Sequence, residues 1–378
     1  MIINNVKIVT ENELMLGSVE ITNEIIHHCS DSVSHLPQAL DGEGGWLLPG
    51  LVELHTDNLE KYFTPRPGVS WPANSAMKNH DAGIISSGIT TVLDAVAIGD
   101  VRAGGDRMEN VQKMIDAIHY SRQNGLNRAE HYLHLRCELP HETTLPLFER
   151  LKNTPELLLV SLMDHSPGQR QFVSPEKYRT YYQGKYHLSD SQMDAFTQQQ
   201  IAFAKRWSQP NREAIASQCR LQGLVLSSHD DATAAHTDES YKLGVTIAEF
   251  PTTREAAQTA YQQGMQVMMG APNVIRGGSH SGNVSAHLLA QAGLLTILSS
   301  DYFPGSLLEA VFKLAHDETL PYTLPQAVAL ASLTPARALG LNDRGSIAEG
   351  KRADMTLVRE FKGEPYIQAV WCGGRRVF

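Results

Sequence analysis

Cysteine is scarce in this chain of 378 residues. Its four cysteines, Cys29, Cys137, Cys219 and Cys372, lie far apart and form no CxxC pair. That excludes a disulfide framework and a zinc ribbon, and it suits a reducing, cytoplasmic setting. Long hydrophobic runs are absent too, since no stretch holds 18 uncharged apolar residues, so no membrane partner is expected. The start, Met1-Ile2-Ile3-Asn4-Asn5-Val6, has neither the basic nor the apolar region of an export signal. Positive charge is in deficit: 32 Lys and Arg against 41 Asp and Glu give −9 with His neutral, which argues against nucleic acid and anionic membranes as partners. No tandem repeat indicates a solenoid.

Hydrophobic residues make up 42% of the chain and charged residues 19%, the balance of a globular protein with a sizeable core. At roughly 150 residues per domain the length fits two domains, or one barrel with an appendage. Eight short apolar or β-branched runs alternate with helical patterns: Leu48 to His55, Ile89 to Ala97, His131 to Glu138, Leu157 to Asp164, Gly223 to His229, Val245 to Phe250, Gln266 to Gly270 and Leu294 to Asp301. A helix is expected from Arg107 to Arg122 and a long one after Ser189, while 166–188 reads as a long loop. An open doubly wound sheet would carry a glycine-rich dinucleotide turn after its first strand, and none is present. The α/β pattern therefore predicts a (β/α)8 TIM-type barrel over 48–344. Short β-like pieces at both ends predict a small β-sandwich domain made jointly by 1–47 and 345–378.

Sixteen histidines direct attention to metal or acid–base chemistry. Barrel enzymes gather reactive groups at the C-terminal ends of their strands. Here the first strand ends in His55-Thr56-Asp57, the third in Glu138, the fourth in Asp164-His165, the fifth in His229-Asp230-Asp231 and the eighth in Asp301. Alternation along a strand turns His55 and Asp57 the same way, so both can serve one ion. A single His or Asp at a strand end is commonly a turn residue, and Asp230 and Asp231 read equally well as helix caps. Five acidic or imidazole strand ends out of eight form a joint pattern that turn chemistry does not produce. His55, Asp57, Glu138, His165, His229 and Asp301 are accordingly the candidate ligands of one or two divalent ions, Zn²⁺ or Mn²⁺ foremost.

Two segments bear a family likeness. Leu48-Pro49-Gly50-Leu51-Val52-Glu53-Leu54-His55 resembles the opening motif of the amidohydrolase superfamily, and Gly345-Ser346-Ile347-Ala348-Glu349-Gly350-Lys351-Arg352-Ala353-Asp354 resembles its return into the small β domain. The resemblance implies a metal-dependent hydrolase in which the aspartate after strand eight, Asp301, carries the proton. Two departures are visible. The superfamily's first strand usually ends in HxH where this chain has His55-Thr56-Asp57, and its two isolated histidines usually follow strands five and six, whereas His165 and His229 follow four and five.

Met163 to Gln169, Ser228 to Asp231, Glu249 to Thr253 and Asn273 to Asn283 extend the resemblance to a branch that cleaves the triphosphate of a small sugar. A triphosphate requires local positive charge and backbone N–H donors. Arg276, Gly277, Gly278, Ser279, His280 and Asn283 are the candidates for this role, with Arg170 and Lys185 as weaker ones. The spacing Gly277-x4-Gly282 resembles a P-loop, but Asn283 occupies the place of its lysine, which excludes a nucleotide motor. Rival readings are a cyclic-amide hydrolase or deacetylase, a nucleoside triphosphate pyrophosphohydrolase, and a metal-free barrel serving as an assembly subunit. The sequence leaves assembly into a homo-oligomer open.

Overall fold

A computed structural model describes residues 1–99, 106–279 and 281–378, with the backbone alone for 106–109. In chain order the strands are β1 (Ile2–Val9), β2 (Leu14–Thr22), β3 (Ile25–Ser30), β4 (Leu40–Asp41) and β5 (Trp46–Pro49), then β6 (Leu51–Thr56), β7 (Ile89–Ile98), β8 (Glu130–Glu138) and β9 (Leu157–Met163). They continue with β10 (Val225–His229), β11 (Ile247–Glu249), β12 (Gln266–Gly270), β13 (Ile297–Ser299), β14 (Met355–Phe361), β15 (Glu364–Cys372) and β16 (Arg375–Arg376).

Strands β6 to β13 form one sheet in strict chain order, with helices between successive strands. Its first and last strands meet at a parallel bridge between Thr56 and Asp301. This is the (β/α)8 barrel that the eight apolar runs predicted. A second sheet, ordered β16-β15-β14-β5-β1-β2-β3 with β4 beside β1, is built from both termini. It encloses a core that includes Ile8, Val19, Ile26, Leu47, Met355 and Trp371. Ile3, Val6 and Ile8 of β1 and Val19 and Ile21 of β2 turn into this core, the covered face of the sheet.

The chain divides into two compact units, one of residues 1–94, 116–132 and 269–378, the other of 95–115 and 133–268. In the first, the join between the terminal sheet and β6 differs from expectation. Leu48 and Pro49 belong to β5, which pairs with β14, and not to the first barrel strand. Gly50 marks the break, because a Cβ there would lie 2.2 Å from the Thr90 hydroxyl oxygen, so only glycine lets the chain pass.

In the second unit, 166–188 is not an open loop. It holds a 3₁₀ turn at Arg170–Phe172 and a helix at Pro175–Tyr186, started by the Ser174 side chain with Pro175 in the first turn. Phe172, Tyr178, Tyr182 and Met193 form its apolar core, which the Gly, Pro and Arg content of the segment conceals. The following helix, Asp190–Gln222, begins at a capping box on Ser189. The expected helix over 107–122 spans Asp106–Gln123. No helix among the described residues is long and apolar enough to cross a membrane.

Candidate metal and substrate site

In the first unit the site grows from the end of β6. Glu53, His55 and Asp57 alternate along the chain, and His55 Nε2 lies 3.6 Å from Asp57 Oδ1. His55 is buried, whereas the Asp57 side chain is 30% exposed and open to solvent. Asp301, just past β13, adopts a left-handed backbone (φ +54°), a conformation that costs a non-glycine residue about 1 kcal/mol or more. Two bonds hold it there: its N–H donates to the His55 carbonyl (3.1 Å), and its own carbonyl accepts from the Asp57 N–H (3.3 Å). The result brings one ligand atom each from His55, Asp57 and Asp301 to within 4.8 Å of one another. Tetrahedral ligands about 2.0–2.3 Å from a shared ion stand about 3.3–3.8 Å apart, and the 3.6 Å between His55 Nε2 and Asp57 Oδ1 lies in that range, so this donor set fits a divalent cation.

Beneath these three lies Glu53, part of the motif that opens the barrel. Its side chain is fully buried. Oε1 accepts from the His55 N–H (2.7 Å) and the Ser299 hydroxyl (2.6 Å), and Oε2 accepts from the Ser300 N–H (2.6 Å). Burial pushes its carboxyl above the usual range despite these bonds. The same period-two alternation that paired His55 with Asp57 could have singled it out.

The second unit assembles the remaining candidates. Glu138 ends β8 and receives both the His165 backbone N–H (3.0 Å) and His165 Nδ1 (2.6 Å). The other ring nitrogen, Nε2, lies 3.6 Å from Asp230 Oδ2. His229, at the end of β10, places Nδ1 2.8 Å from the same Asp230 oxygen. Asp230 is left-handed like Asp301 (φ +60°) and is anchored by its N–H to the Glu249 carbonyl. Ligand atoms of His165, His229 and Asp230 again lie within 4.8 Å of one another. Although burial alone would raise it, the imidazoles of His229 and His165 hold the Asp230 carboxyl well below the usual range. Burial opposes charge on His165, but Glu138 and Asp230 outweigh it and push that imidazole up to about 10. Asp230 therefore belongs with the imidazoles, while Thr233 caps the helix that follows.

The anion-binding candidates fare unevenly. Arg276 is exposed at the end of the helix Ala271–Arg276. The expectation of free N–H groups on the glycines behind it is corrected: Gly277 donates to the Val274 carbonyl and Gly278 to the Asn273 carbonyl, closing that helix with Gly277 left-handed. Ser279 Oγ accepts from the Ser281 N–H, Asn283 is half-buried, and His280 lies outside the described residues. Lys185 is exposed, with its ammonium 5.5 Å from the centres of the Tyr181 and Tyr186 rings. Arg170 is buried, and its guanidinium pairs with Asp231 and Glu239, so its charge is already compensated.

A further buried polar group occupies the first unit. Asp94 on β7 bonds His80 Nε2 (2.6 Å) and His131 Nδ1 (2.8 Å), and the other nitrogen of His131 lies 3.3 Å from Asp81. Asp81 also receives the N–H groups of Arg128 and Ala129 and the Arg128 guanidinium. Burial disfavours a charged His131, yet the two carboxylates outweigh it and push the imidazole up to about 9.

The amidohydrolase family model matches residues 87–378. The chain belongs to the amidohydrolase family. A curated relative, alpha-D-ribose 1-methylphosphonate 5-triphosphate diphosphatase of Escherichia coli K12, is 63% identical over the full length of both chains. Similar solved structures include N-acetylglucosamine-6-phosphate deacetylase from Thermotoga maritima (16% identity, 100% of this chain and 99% of that one, TM-score 0.63). Another is 5-methylcytosine deaminase from Klebsiella pneumoniae (14%, 100% and 97%, TM-score 0.59). At these identities the two structures attest the fold, a barrel with a terminal β domain, and nothing finer.

Proposed function

We propose that this amidohydrolase hydrolyses α-D-ribose 1-methylphosphonate 5-triphosphate to the 5-phosphate and pyrophosphate. The observation that carries the reading is the 63% identity, unbroken over both chains, to the diphosphatase of that name. The donor sets described above agree with it. His55, Asp57 and Asp301 are the proposed ligands of one divalent ion, Zn²⁺ or Mn²⁺, and His165, His229 and Asp230 are the proposed donors for a second; Glu138, expected from the sequence as a ligand, is proposed to act by holding His165 through both its oxygens. Such an ion, when bound, supplies Lewis acidity at phosphoryl oxygen and acidifies water at neutral pH.

The chain's own residues do the rest. The Asp301 carboxylate accepts the proton of the water that attacks the α-phosphorus, and its tether to the His55 carbonyl keeps it oriented for that transfer. The hydrogen bond from His165 to Glu138 fixes which ring nitrogen faces outward, as a buried carboxylate does for many ligand histidines. Arg276, unencumbered at the surface, offsets charge on the departing diphosphate. His280, Ser279, Asn283 and Lys185 are proposed to assist. With Gly277 and Gly278 using their N–H groups internally, side chains rather than a backbone nest supply this positive field. Four thiols outside any disulfide suit a cytoplasmic enzyme.

The test is pyrophosphate release from the ribose triphosphate, run beside ATP and a panel of cyclic and acetylated amides. Turnover of the ribose triphosphate well above both comparators is expected. Amide hydrolysis without pyrophosphate release would overturn the assignment.

A further inference from the structure

We infer that Glu53 is a positioning residue whose buried carboxylate sets the separation between the His55–Asp57 pair and Asp301. The inference rests on the reading of those three as cation ligands. Strands β6 and β13 are the two ends of the barrel sheet, and β13 is only three residues long. Two amide bonds, at 3.1 and 3.3 Å, tie Asp301 directly to the end of β6, near the upper limit for N–H to oxygen contacts.

Glu53 adds three shorter ones. Its two oxygens receive the His55 N–H on its own strand and the Ser299 hydroxyl and Ser300 N–H on the other, all at 2.6–2.7 Å. Burial excludes the water that would compete for these bonds, so each holds its partner more firmly than an exposed bond of the same length. The Ser299 oxygen also lies 2.8 Å from the His55 carbonyl and 3.4 Å from the Asp301 N–H, so the clasp reaches the backbone of both ligand residues. Every partner of Glu53 is thus within one residue of His55 or within two of Asp301, and Glu53 lies below the three ligand atoms without belonging to the set. An amide in its place would keep the shape but turn an NH₂ group toward a backbone N–H. An aspartate would keep both acceptors but fall about 1.5 Å short, the length of one backbone bond.

Metal-free full-length protein carrying Glu53→Gln, Glu53→Asp or no change is titrated with Zn²⁺ and with Mn²⁺ by equilibrium dialysis. Amide hydrogen exchange is recorded at His55, Ser300 and Asp301. Trp371→Phe, in the core of the terminal sheet, is the control for general destabilisation. Glu53→Gln is expected to weaken binding about 10–100-fold, the usual effect of losing a group that orients ligands. It should also speed exchange at the three amides, with Glu53→Asp intermediate and Trp371→Phe unchanged in both. If Glu53→Gln fails to fold, Ser299→Ala, which keeps the carboxylate and removes one donor, is expected to weaken binding two- to fivefold.

Wild-type affinity together with wild-type exchange in the Glu53 variants overturns the inference, as does an equal loss of affinity in Trp371→Phe. A wild-type protein that binds no ion, or His55→Ala that binds as well as wild type, overturns instead the reading of the ligand set. The exchange pattern then decides the clasp alone.

Discussion

Replacing His131 by Gln should weaken the fold in a way that depends on pH. His131 is buried between the carboxylates of Asp94 and Asp81, with a nitrogen directed at each. Removing one partner of such a buried pair costs about 3–5 kcal/mol, because the remaining charges stay desolvated. Titration gives a similar size. A folded value of about 9 against about 6.5 in the unfolded chain corresponds to about 3 kcal/mol. These are two views of one interaction and do not add. Because the folded value is the higher, the contribution is fully present below pH 6.5 and is lost as pH rises through 9. Asp94 and Asp81 are held below their usual range, so on the acid side stability falls once pH drops below about 4. At about 2.1 cal/mol/K per residue, 3 kcal/mol corresponds to about 4 °C in melting temperature for a chain of this length. Differential scanning fluorimetry and urea unfolding at pH 6, 7.5 and 9.5 measure it. The gap between wild type and His131→Gln should be widest at pH 6 and shrink toward pH 9.5, where wild-type His131 itself becomes neutral. A gap that stays constant across this range refutes the charged-imidazole account.

Three other perturbations separate roles within the site. Asp301→Asn should abolish turnover and lower bound metal, measured by elemental analysis; metal near wild type would take Asp301 out of the ligand set and leave it the proton acceptor alone. Arg170→Gln should lower the melting temperature, since it leaves the buried Asp231 carboxylate without its guanidinium, with KM little changed; Arg276→Gln should do the reverse, raising KM several-fold with no thermal effect. Gly345→Ala should cost at least about 2 kcal/mol in urea unfolding, because the backbone is left-handed there (φ +87°) and a Cβ would sit 2.8 Å from the Ser332 carbonyl oxygen. Wild-type stability in that variant would show that the turn yields easily.

What the sequence alone determined is local and periodic. Short apolar runs bounded by polar strand ends locate all eight barrel strands, since a strand's two-residue period and a helix's 3.6-residue period are written in consecutive residues. The same alternation aligns His55 with Asp57, and the strand ends indicate Glu138, His165, His229 and Asp301. Tertiary structure decided whatever depends on residues far apart in the chain. Asp301 faces His55 because the last strand closes on the first, a register set by bonds across 246 residues through Glu53, Ser299 and Ser300. Arg170 and Arg276 look alike as loop cations, yet one is buried on two carboxylates and the other is free, because burial depends on what the rest of the fold places nearby. Gly277 and Gly278 read as open N–H donors until the end of a helix claims both. A residue's period is inscribed in its neighbours, whereas its hydrogen-bond partners are supplied only by the folded chain.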